Sequence, residues 1–333
     1  MRGFIILITL FISSCSLTET TEKTSPYLLN PDEVQDLLST SKGVKIIELS
    51  NYEQYIKGHL NNAYLLERKD YADTTHVLDG MMASKSHIES LLQRMAVQAN
   101  DTLILYGEQT NVDACRFFWI LKCYGHPSVF IMDGGKKAWS EYYPLDTMIK
   151  DMPIPGKYKF PTGDNPMSQL AEIEDVLRAV QDEDIQIIDT RSSEEYSGEP
   201  FVNKGKVVHW KSGAVINGTI PTAKHIHWTR LQSYEEPFGF KSKKDIIHEL
   251  EKDGIDPYGE MILFCQSGAR SSHTFFALKY ILGNNKVKNY DGSWIEWSAR
   301  YATNPKMIRQ ISAPAENDRI LSKLKQEMVN NNG

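Results

Sequence analysis

The chain has 333 residues, 41% of them apolar and 24% charged, which is typical of a globular protein of about two domains. Its net charge of -6 argues against a broad basic surface, so nucleic-acid binding is not expected. The four cysteines, at positions 15, 115, 123 and 265, are too few for a disulfide framework, and no Cys/His cluster has the spacing of a metal site.

The N-terminus predicts export and lipidation. Arg2 precedes an apolar core at residues 3–12, which is shorter than the roughly 20 residues that span a bilayer. The run that ends in Cys15 resembles a bacterial lipoprotein signal, which implies cleavage before Cys15 and a lipid on that cysteine. The alternative is a plain secretory signal with an incidental cysteine. On the lipoprotein interpretation residues 1–15 are the signal, residues 16–25 are a polar tether, and the protein is anchored in the bacterial cell envelope on the exported side.

The rest of the sequence contains two copies of one pattern. An apolar run ending at Tyr106 is followed 27 residues later by Asp133-Gly134, and a run ending at Phe264 is followed 27 residues later by Asp291-Gly292. Such internal similarity indicates a duplicated unit. The second copy has about 19 extra residues within positions 198–218, which form either a lid or basic rim over a cleft or a solvated surface excursion. That segment contains Lys204, Lys206, His209, Trp210 and Lys211.

In each copy, short apolar runs alternate with helical patterns, which predicts parallel βα units. The predicted strands are residues 45–48, 103–106, 186–189 and 261–264, and the predicted helices are residues 31–38, 87–96, 112–121, 170–180 and 243–253. We therefore expect an α/β fold of two tandem domains, each a parallel sheet flanked by helices on both faces. The domains are predicted at residues 26–148 and 167–310, with a linker at 149–166 and a C-terminal tail at 311–333.

Cys265 is the candidate nucleophile. It follows the apolar run Met261–Phe264, and a helix is predicted to open at Ser271 or Ser272, which are good N-cap residues. Unsatisfied N–H groups at a helix N-terminus lower a thiol pKa and so favour the nucleophilic thiolate. Gly268 is expected where the loop turns sharply. An inert buried cysteine is the alternative.

The loop from Cys265 to Arg270 has six residues, one fewer than the phosphate-binding loop of a cysteine phosphatase. Its smaller ring of N–H donors suits one extra sulfur, as in a persulfide anion, better than a phosphoryl group. The loop sequence, Cys265-Gln266-Ser267-Gly268-Ala269-Arg270, resembles the active loop of the rhodanese family of sulfurtransferases. The duplication resembles tandem-domain rhodaneses and mercaptopyruvate sulfurtransferases over nearly all of residues 26–305.

This resemblance implies transfer of a sulfane sulfur from thiosulfate or 3-mercaptopyruvate to a thiol or cyanide through a Cys265 persulfide, with no cofactor. The first copy has Gly107 where the second has Cys265, and Cys115 lies within a predicted helix, so the first domain is expected to be non-catalytic. The loop matches neither the thiosulfate pattern Cys-Arg-Lys-Gly-Val-Thr nor the mercaptopyruvate pattern Cys-Gly-Ser-Gly-Val-Thr, which leaves the donor open. We expect a monomer.

The segment Asp189-Thr-Arg-Ser-Ser-Glu-Glu-Tyr196 resembles the family's Asp-x-Arg-x-x-x-Glu-Tyr segment, which implies that Arg191 binds the anionic donor and that Asp189 supports the loop. The alternative for Arg191 is a salt bridge with Glu194 or Glu195. Arg270 is expected to bind substrate oxygens and favour the thiolate, or to pin the loop by hydrogen bonds. Gln266 and Ser267 are expected at the entrance.

Two other functions stay open. A cysteine phosphatase or arsenate reductase on a related fold would use the same thiolate, but the short loop argues against it. A non-enzymatic persulfide or redox sensor would need only an exposed thiol of low pKa.

Overall fold

The computed structural model describes residues 25–162, 166–203, 206–208, 212–235 and 238–308. Several predicted features lie outside these ranges: the signal with Cys15, nearly all of the tether, and the C-terminal tail. Four residues of the extra segment also lie outside them, namely Lys204, His209, Trp210 and Lys211. None of the helices within them is long and apolar enough to cross a membrane.

The first parallel sheet is built from residues 28–132, with strand order β1-β5-β4-β2-β3. The elements are β1 (Leu28–Leu29), α1 (Pro31–Thr40), β2 (Val44–Leu49), α2 (Tyr52–Tyr55), β3 (Tyr64–Leu66), α3 (Arg68–Tyr71), α4 (Lys85–Arg94), β4 (Thr102–Tyr106), α5 (Val112–Tyr124), β5 (Val129–Met132) and α6 (Gly135–Ser140). Residues 103–106 of the central strand β4 are fully buried, as expected for a parallel strand covered on both faces.

The second parallel sheet has the order β10-β7-β13-β14-β6. Its domain contains β6 (Leu170–Ala171), α7 (Ile173–Ala179), β7 (Ile185–Asp189), α8 (Ser193–Ser197), β8 (Phe201–Asn203), β9 (Lys206–Val208), β10 (Lys224–His225), β11 (Gln232–Ser233), β12 (Gly239–Phe240), α9 (Lys243–Glu251), β13 (Glu260–Phe264), α10 (Ala269–Phe276), β14 (Val287–Tyr290) and α11 (Ser293–Tyr301). Strands β8 and β9, and β11 and β12, form two small antiparallel hairpins. The two parallel sheets with their flanking helices confirm the predicted α/β fold.

The helix predicted at residues 170–180 is wrong at its start. Leu170 and Ala171 pair with β14 as a strand, and the helix begins only at Ile173. Glu172 ends the strand because its side chain and that of Asp175 form a reciprocal capping box, which fixes the start of the helix.

The extra segment of the second copy is partly built into its domain. Strands β8 (Phe201–Asn203) and β9 (Lys206–Val208) of this segment pair with each other, and Ile216 is fully buried. The Trp294 indole donates to the Ile216 carbonyl at 3.1 Å, and the Val215 N–H donates to the Ser298 hydroxyl at 3.3 Å. A wholly solvated excursion is therefore wrong for its C-terminal part, and a lid stays a prediction for the rest.

Helices α5 and α10 pack the two domains together. Phe118 on α5 makes edge-to-face contacts with Phe276 and Tyr280, each at a centroid distance of 5.0 Å. One buried apolar cluster runs from Leu103 in the first sheet to Leu263 in the second. Burial of this continuous apolar area is the main force that holds the domains in one arrangement.

Buried carboxylates from the two repeated Asp-Gly turns complete this interface. Asp291 of the second domain pairs with Arg116 of the first and accepts a hydrogen bond from the Met82 N–H at 2.9 Å. Asp133 of the first domain accepts from the Phe240 N–H of the second at 3.0 Å. Burial raises the pKa of Asp133 to about 7, and the backbone N–H groups of Phe240 and Gly134 offset this only in part. Among the described residues, no cation pairs with this carboxylate.

Replacement of Asp291 by alanine should lower the free energy of unfolding by about 3–5 kcal/mol, because it leaves the Arg116 charge buried without its partner. Urea unfolding followed by tryptophan fluorescence would measure the loss. The matched control, Lys137→Ala, breaks a half-exposed ion pair with Glu141 and should unfold at nearly the wild-type urea concentration. Equal midpoints for the two variants would contradict the assignment.

Candidate active site

Cys265 lies directly after β13, at the carboxyl edge of the second sheet, and α10 follows only three residues later. The helix begins at Ala269, so the predicted start at Ser271 or Ser272 is wrong. The earlier start is due to Gly268, which is the N-cap residue of α10. Its φ of +77° is a conformation that L residues rarely adopt, and it turns the chain into the helix without a serine side chain as the cap. Ser271 instead points inward and donates its hydroxyl to the Cys265 sulfur at 3.6 Å.

The surroundings of the sulfur favour the thiolate. Cys265 is 1% exposed, and burial by itself would raise the pKa of its thiol. The Arg270 charge, the backbone N–H groups of Ser271 and Ser267 and the Ser271 hydroxyl oppose this and lower the pKa below its ordinary value. Three donors therefore act on the sulfur, namely the N–H groups of Ser267 and Ser271 and the Ser271 hydroxyl. Donors of this kind also stabilise the negative terminal sulfur of a persulfide.

The first turn of α11 supports the loop through hydrogen bonds to the backbone of Cys265. The Cys265 N–H donates to the Ser293 hydroxyl at 3.2 Å, and this hydroxyl donates to the Tyr290 carbonyl at 2.8 Å. The Trp294 N–H donates to the Cys265 carbonyl at 3.0 Å. Sequence reasoning missed Ser293, although the repeated Asp291-Gly292 pair just before it marked this turn as special.

Arg270 is held in a two-pronged ion pair with Glu195. Its two terminal nitrogens lie 2.6 and 2.9 Å from the two carboxylate oxygens. Burial would lower the pKa of Arg270, but Glu195 and the Cys265 charge raise it above its ordinary range. Arg270 therefore pins the loop and also acts on the thiolate, while its predicted binding of substrate oxygens stays a prediction. Glu195 was missed as its partner.

Arg191 is a buried structural residue, only 2% exposed. Its guanidinium binds Asp189, with Nη2 to Oδ2 at 2.6 Å, donates to the Gly218 carbonyl at 2.7 Å and stacks on the Trp294 ring at 4.7 Å. A salt bridge to Glu194 or Glu195 was therefore the wrong alternative. The structure gives Arg191 no open face for a donor, so direct substrate binding by Arg191 is not supported. Asp189 is fully buried and accepts hydrogen bonds from Arg191 and from the Thr219 hydroxyl, so it holds Arg191 in place, while its support of the Cys265 loop stays a prediction.

The remaining loop residues contact the extra segment and the first domain or pack inside the second domain. Gln266 is 8% exposed, and its amide donates to the Ser212 carbonyl at 3.1 Å, so it lies against the extra segment rather than at an open entrance. Ser267 faces the first domain, because a Cβ placed on Gly80 would lie only 2.5 Å from the Ser267 Cβ. Ala269 is 3% exposed and packs inside.

The first domain contributes contacts but no nucleophile. Arg116 borders the loop, since a Cβ on Gly268 would lie 2.6 Å from its Nη1, and it also donates to the Gly80 carbonyl at 3.0 Å. Cys115 lies inside α5 as predicted, and burial raises the pKa of its thiol well above the ordinary value. Within the described residues, no three His, Cys, Asp or Glu side chains form a group that could hold a metal ion.

Replacing Arg270 with glutamine should raise the pKa of the Cys265 thiol, because it removes the charge that favours the thiolate, so alkylation by iodoacetamide at pH 7 should slow several-fold. The rate should rise with pH through the thiol pKa in both proteins, at a higher pH in the variant, and converge where both thiols are ionised. Convergence would show that the loop is intact. The control Arg300→Gln removes an arginine that is paired with Glu296 and 53% exposed, and it should leave the profile unchanged. Superimposable profiles for wild type and Arg270→Gln would contradict the electrostatic role.

Comparison with protein families matches a rhodanese-like domain at residues 30–142 and 172–300. The sulfur carrier protein TtuD of Thermus thermophilus is 34% identical over 281 residues, which cover 81% of this chain and 93% of TtuD. A Mycolicibacterium smegmatis protein named "Putative thiosulfate sulfurtransferase" is 30% identical over 276 residues, 83% of this chain and 95% of that protein. The crystal structure of SseA from Escherichia coli, described among 3-mercaptopyruvate sulfotransferases, shares the fold with a TM-score of 0.67 at 22% identity, over 80% of this chain and 98% of SseA. The chain therefore belongs to the rhodanese family and carries two tandem rhodanese-like domains.

Proposed function

We propose that the protein is a sulfurtransferase that moves a sulfane sulfur from a small anionic donor to a thiophilic acceptor through a persulfide on Cys265. The observation that carries the proposal is the position of Cys265 directly after a buried parallel strand, with the Ser271 hydroxyl 3.6 Å from its sulfur and the Arg270 charge lowering the pKa of its thiol. Sulfurtransferases among its relatives support the same reaction class.

In the first half-reaction the Cys265 thiolate attacks the outer sulfur of thiosulfate. A sulfur–sulfur bond forms at Cys265 as the bond within thiosulfate breaks, and sulfite leaves with the electron pair. The product is the Cys–S–S⁻ anion, in which the negative charge moves to the new terminal sulfur. The Ser267 and Ser271 N–H groups and the Arg270 charge, which stabilise the thiolate, are placed to stabilise this anion as well.

In the second half-reaction a nucleophile attacks the terminal sulfur. With cyanide, a carbon–sulfur bond forms, the persulfide bond breaks, thiocyanate leaves and the thiolate returns. No oxidation or reduction by an external agent is needed, so the reaction proceeds without an added cofactor. The temporal separation of the halves predicts ping-pong kinetics.

Thiosulfate and 3-mercaptopyruvate both remain candidate donors, because the loop carries Gln266, Ala269 and Arg270 where each of the two family patterns has other residues. The name of TtuD describes a sulfur carrier, which makes a protein thiol an acceptor candidate beside cyanide and small thiols. A sensor would form the persulfide but would not turn over with a donor and acceptor together.

Cys265→Ser should abolish the formation of thiocyanate from thiosulfate or 3-mercaptopyruvate and cyanide, because a hydroxyl in this site is not ionised near neutral pH. The Fe(III)–thiocyanate absorbance would measure the product. Cys123→Ser is the matched control, since Cys123 is a buried thiol whose pKa burial raises, and it should retain transfer. Substantial turnover by Cys265→Ser would remove Cys265 from the mechanism, and a wild-type protein that accepts sulfur but never turns over would favour the sensor.

We further propose that the protein works as a lipid-anchored, monomeric enzyme on the exported side of a bacterial membrane, with the lipid on Cys15. The short apolar run before this cysteine supports the proposal. Cys15→Ser should move the protein from the membrane pellet to the soluble fraction and abolish incorporation of labelled palmitate. Wild-type protein that takes up no palmitate would reject lipidation.

A further inference from the structure

The two domains match each other position by position around their Asp-Gly turns. Strands β4 and β5 and helix α6 of the first domain begin 158 residues before β13, β14 and α11 of the second. By the same offset, Asp133 is equivalent to Asp291. Phe118 packs edge-to-face on Phe276, its own equivalent, at a centroid distance of 5.0 Å. The surroundings of the two turns can therefore be compared directly.

The carboxylates of the two turns make the same backbone contact across the domain interface. Asp291 accepts a hydrogen bond from the Met82 N–H at 2.9 Å, and Asp133 accepts one from the Phe240 N–H at 3.0 Å. Met82 and Phe240 are again 158 residues apart. Each turn thus binds a backbone N–H in the equivalent segment of the other domain.

The two turns differ in their cation. Asp291 forms a buried ion pair with Arg116 of α5, whereas the equivalent position in α10 holds Thr274, which has no charge. The Thr274 side chain is fully buried, and its hydroxyl has no hydrogen-bond partner in the described part of the chain. Both hydrogen bonds to Asp133, from two backbone N–H groups, fall on Oδ1. Among the described residues nothing donates to Oδ2, so this oxygen is open to a cation.

A cavity of about 430 Å³ lies at Asp133, between the start of α1, the end of α6 and the residue before β12. Its volume is typical of pockets that bind small molecules. The rings of Tyr142 and Phe238 form part of its wall. The charged residues among the described lining are three carboxylates, Asp32, Asp133 and Glu141, without a cationic side chain. Aromatic surface next to negative charge is a composition that suits organic cations.

The other two carboxylates of the cavity already have partners. The Tyr143 hydroxyl donates to Asp32 Oδ1 at 2.6 Å, and Glu141 pairs with Lys137. Burial raises the pKa of Asp133 to about 7, which reflects the cost of ionising this carboxylate without a cation beside it. A bound cation would offset that cost.

We infer that this cavity binds a small organic cation with a planar amidinium or guanidinium head, which pairs with Asp133 as Arg116 pairs with Asp291. Such a head donates N–H groups in one plane, and an apolar body attached to it would lie against the aromatic wall. A metal ion is not the expected ligand, because no three His, Cys, Asp or Glu side chains in the described ranges could hold one. The inference is independent of sulfur transfer, since the cavity includes no residue of the Cys265 loop.

The test compares benzamidinium with its neutral analogue benzamide, with binding to the full chain measured by isothermal titration calorimetry. Wild-type protein should bind benzamidinium about tenfold more tightly than benzamide, because only the cation can pair with a carboxylate. Asp133→Asn should lose this preference, although its amide oxygen can still accept the two N–H groups that bond Oδ1. Equal affinities of the two probes for wild type, or a full preference in Asp133→Asn, would overturn the inference.

Asp184→Asn is the charge-matched control, because Asp184 is an exposed residue of the second domain that does not line the cavity. It should keep the wild-type preference for benzamidinium. An equal loss of preference in Asp184→Asn and Asp133→Asn would overturn the site, because the effect would then be one of net charge.

A second measurement needs no variant and so stands even where Asp133→Asn fails to fold. Because the pKa of Asp133 is about 7, its carboxyl is mostly protonated at about pH 5.5 and ionised at about pH 8.5, and the preference should weaken several-fold at the lower pH. The other charged groups at the cavity are Asp32 on α1 and Glu141, with its partner Lys137, at the end of α6. On α5, burial raises the pKa of the Cys115 thiol, which therefore stays neutral. A preference of one size at both pH values would overturn the assignment to Asp133.

Discussion

A buried ion pair between Arg116 and Asp291 joins the two domains next to the loop that carries Cys265. Arg116 belongs to the first domain and also borders Gly268, while Asp291 lies two residues before Ser293, which receives the Cys265 N–H. Ion pairs of this kind add little net stability, because desolvation of both charges offsets their attraction. Their geometric effect is larger: with both partners buried, the position of α5 fixes the turn that holds the nucleophile.

The loop also stabilises a thiolate that is buried away from water. An apolar environment alone would keep Cys265 protonated, as it does for Cys115 in α5. The difference between these two buried thiols is the set of donors that converge on Cys265, together with the charge of Arg270. Glu195 holds the Arg270 guanidinium in place. The pair with Glu195 does not cancel the effect of Arg270 on the sulfur, since the pKa of the Cys265 thiol is lowered with Glu195 present.

The parts of the structure that sequence reasoning predicted depend on local pattern. The strand before Cys265 follows from an unbroken apolar run, and the tandem sheets follow from the repeated spacing between Tyr106 and Asp133 and between Phe264 and Asp291. The residues that it missed act through contacts between distant positions. Arg116 meets Asp291 across 175 residues, and Arg270 meets Glu195 across 75, distances over which periodicity carries no information.

Predictions from local sequence were also wrong where two local preferences competed, as at the start of α10 and at Arg191. Ser271 and Ser272 are good cap residues, but the left-handed conformation open to Gly268 starts the helix earlier and turns Ser271 toward the sulfur. Arg191 resembled a substrate-binding arginine in sequence, but the carboxylate two residues before it, together with the Trp294 ring, forms a buried site that binds the guanidinium. Closeness in sequence could not show whether Arg191 would bind Asp189 or one of the two glutamates that follow it.

The most direct test of the account is an intact-mass measurement on the purified protein after incubation with thiosulfate and, separately, with 3-mercaptopyruvate. The account predicts a gain of about 32 Da, one sulfur atom, on Cys265 with at least one donor, and its removal by cyanide. The donor that produces the gain would be identified in the same experiment. An unchanged mass with both donors, in protein whose Cys265 still reacts rapidly with iodoacetamide, would contradict the persulfide mechanism with these donors.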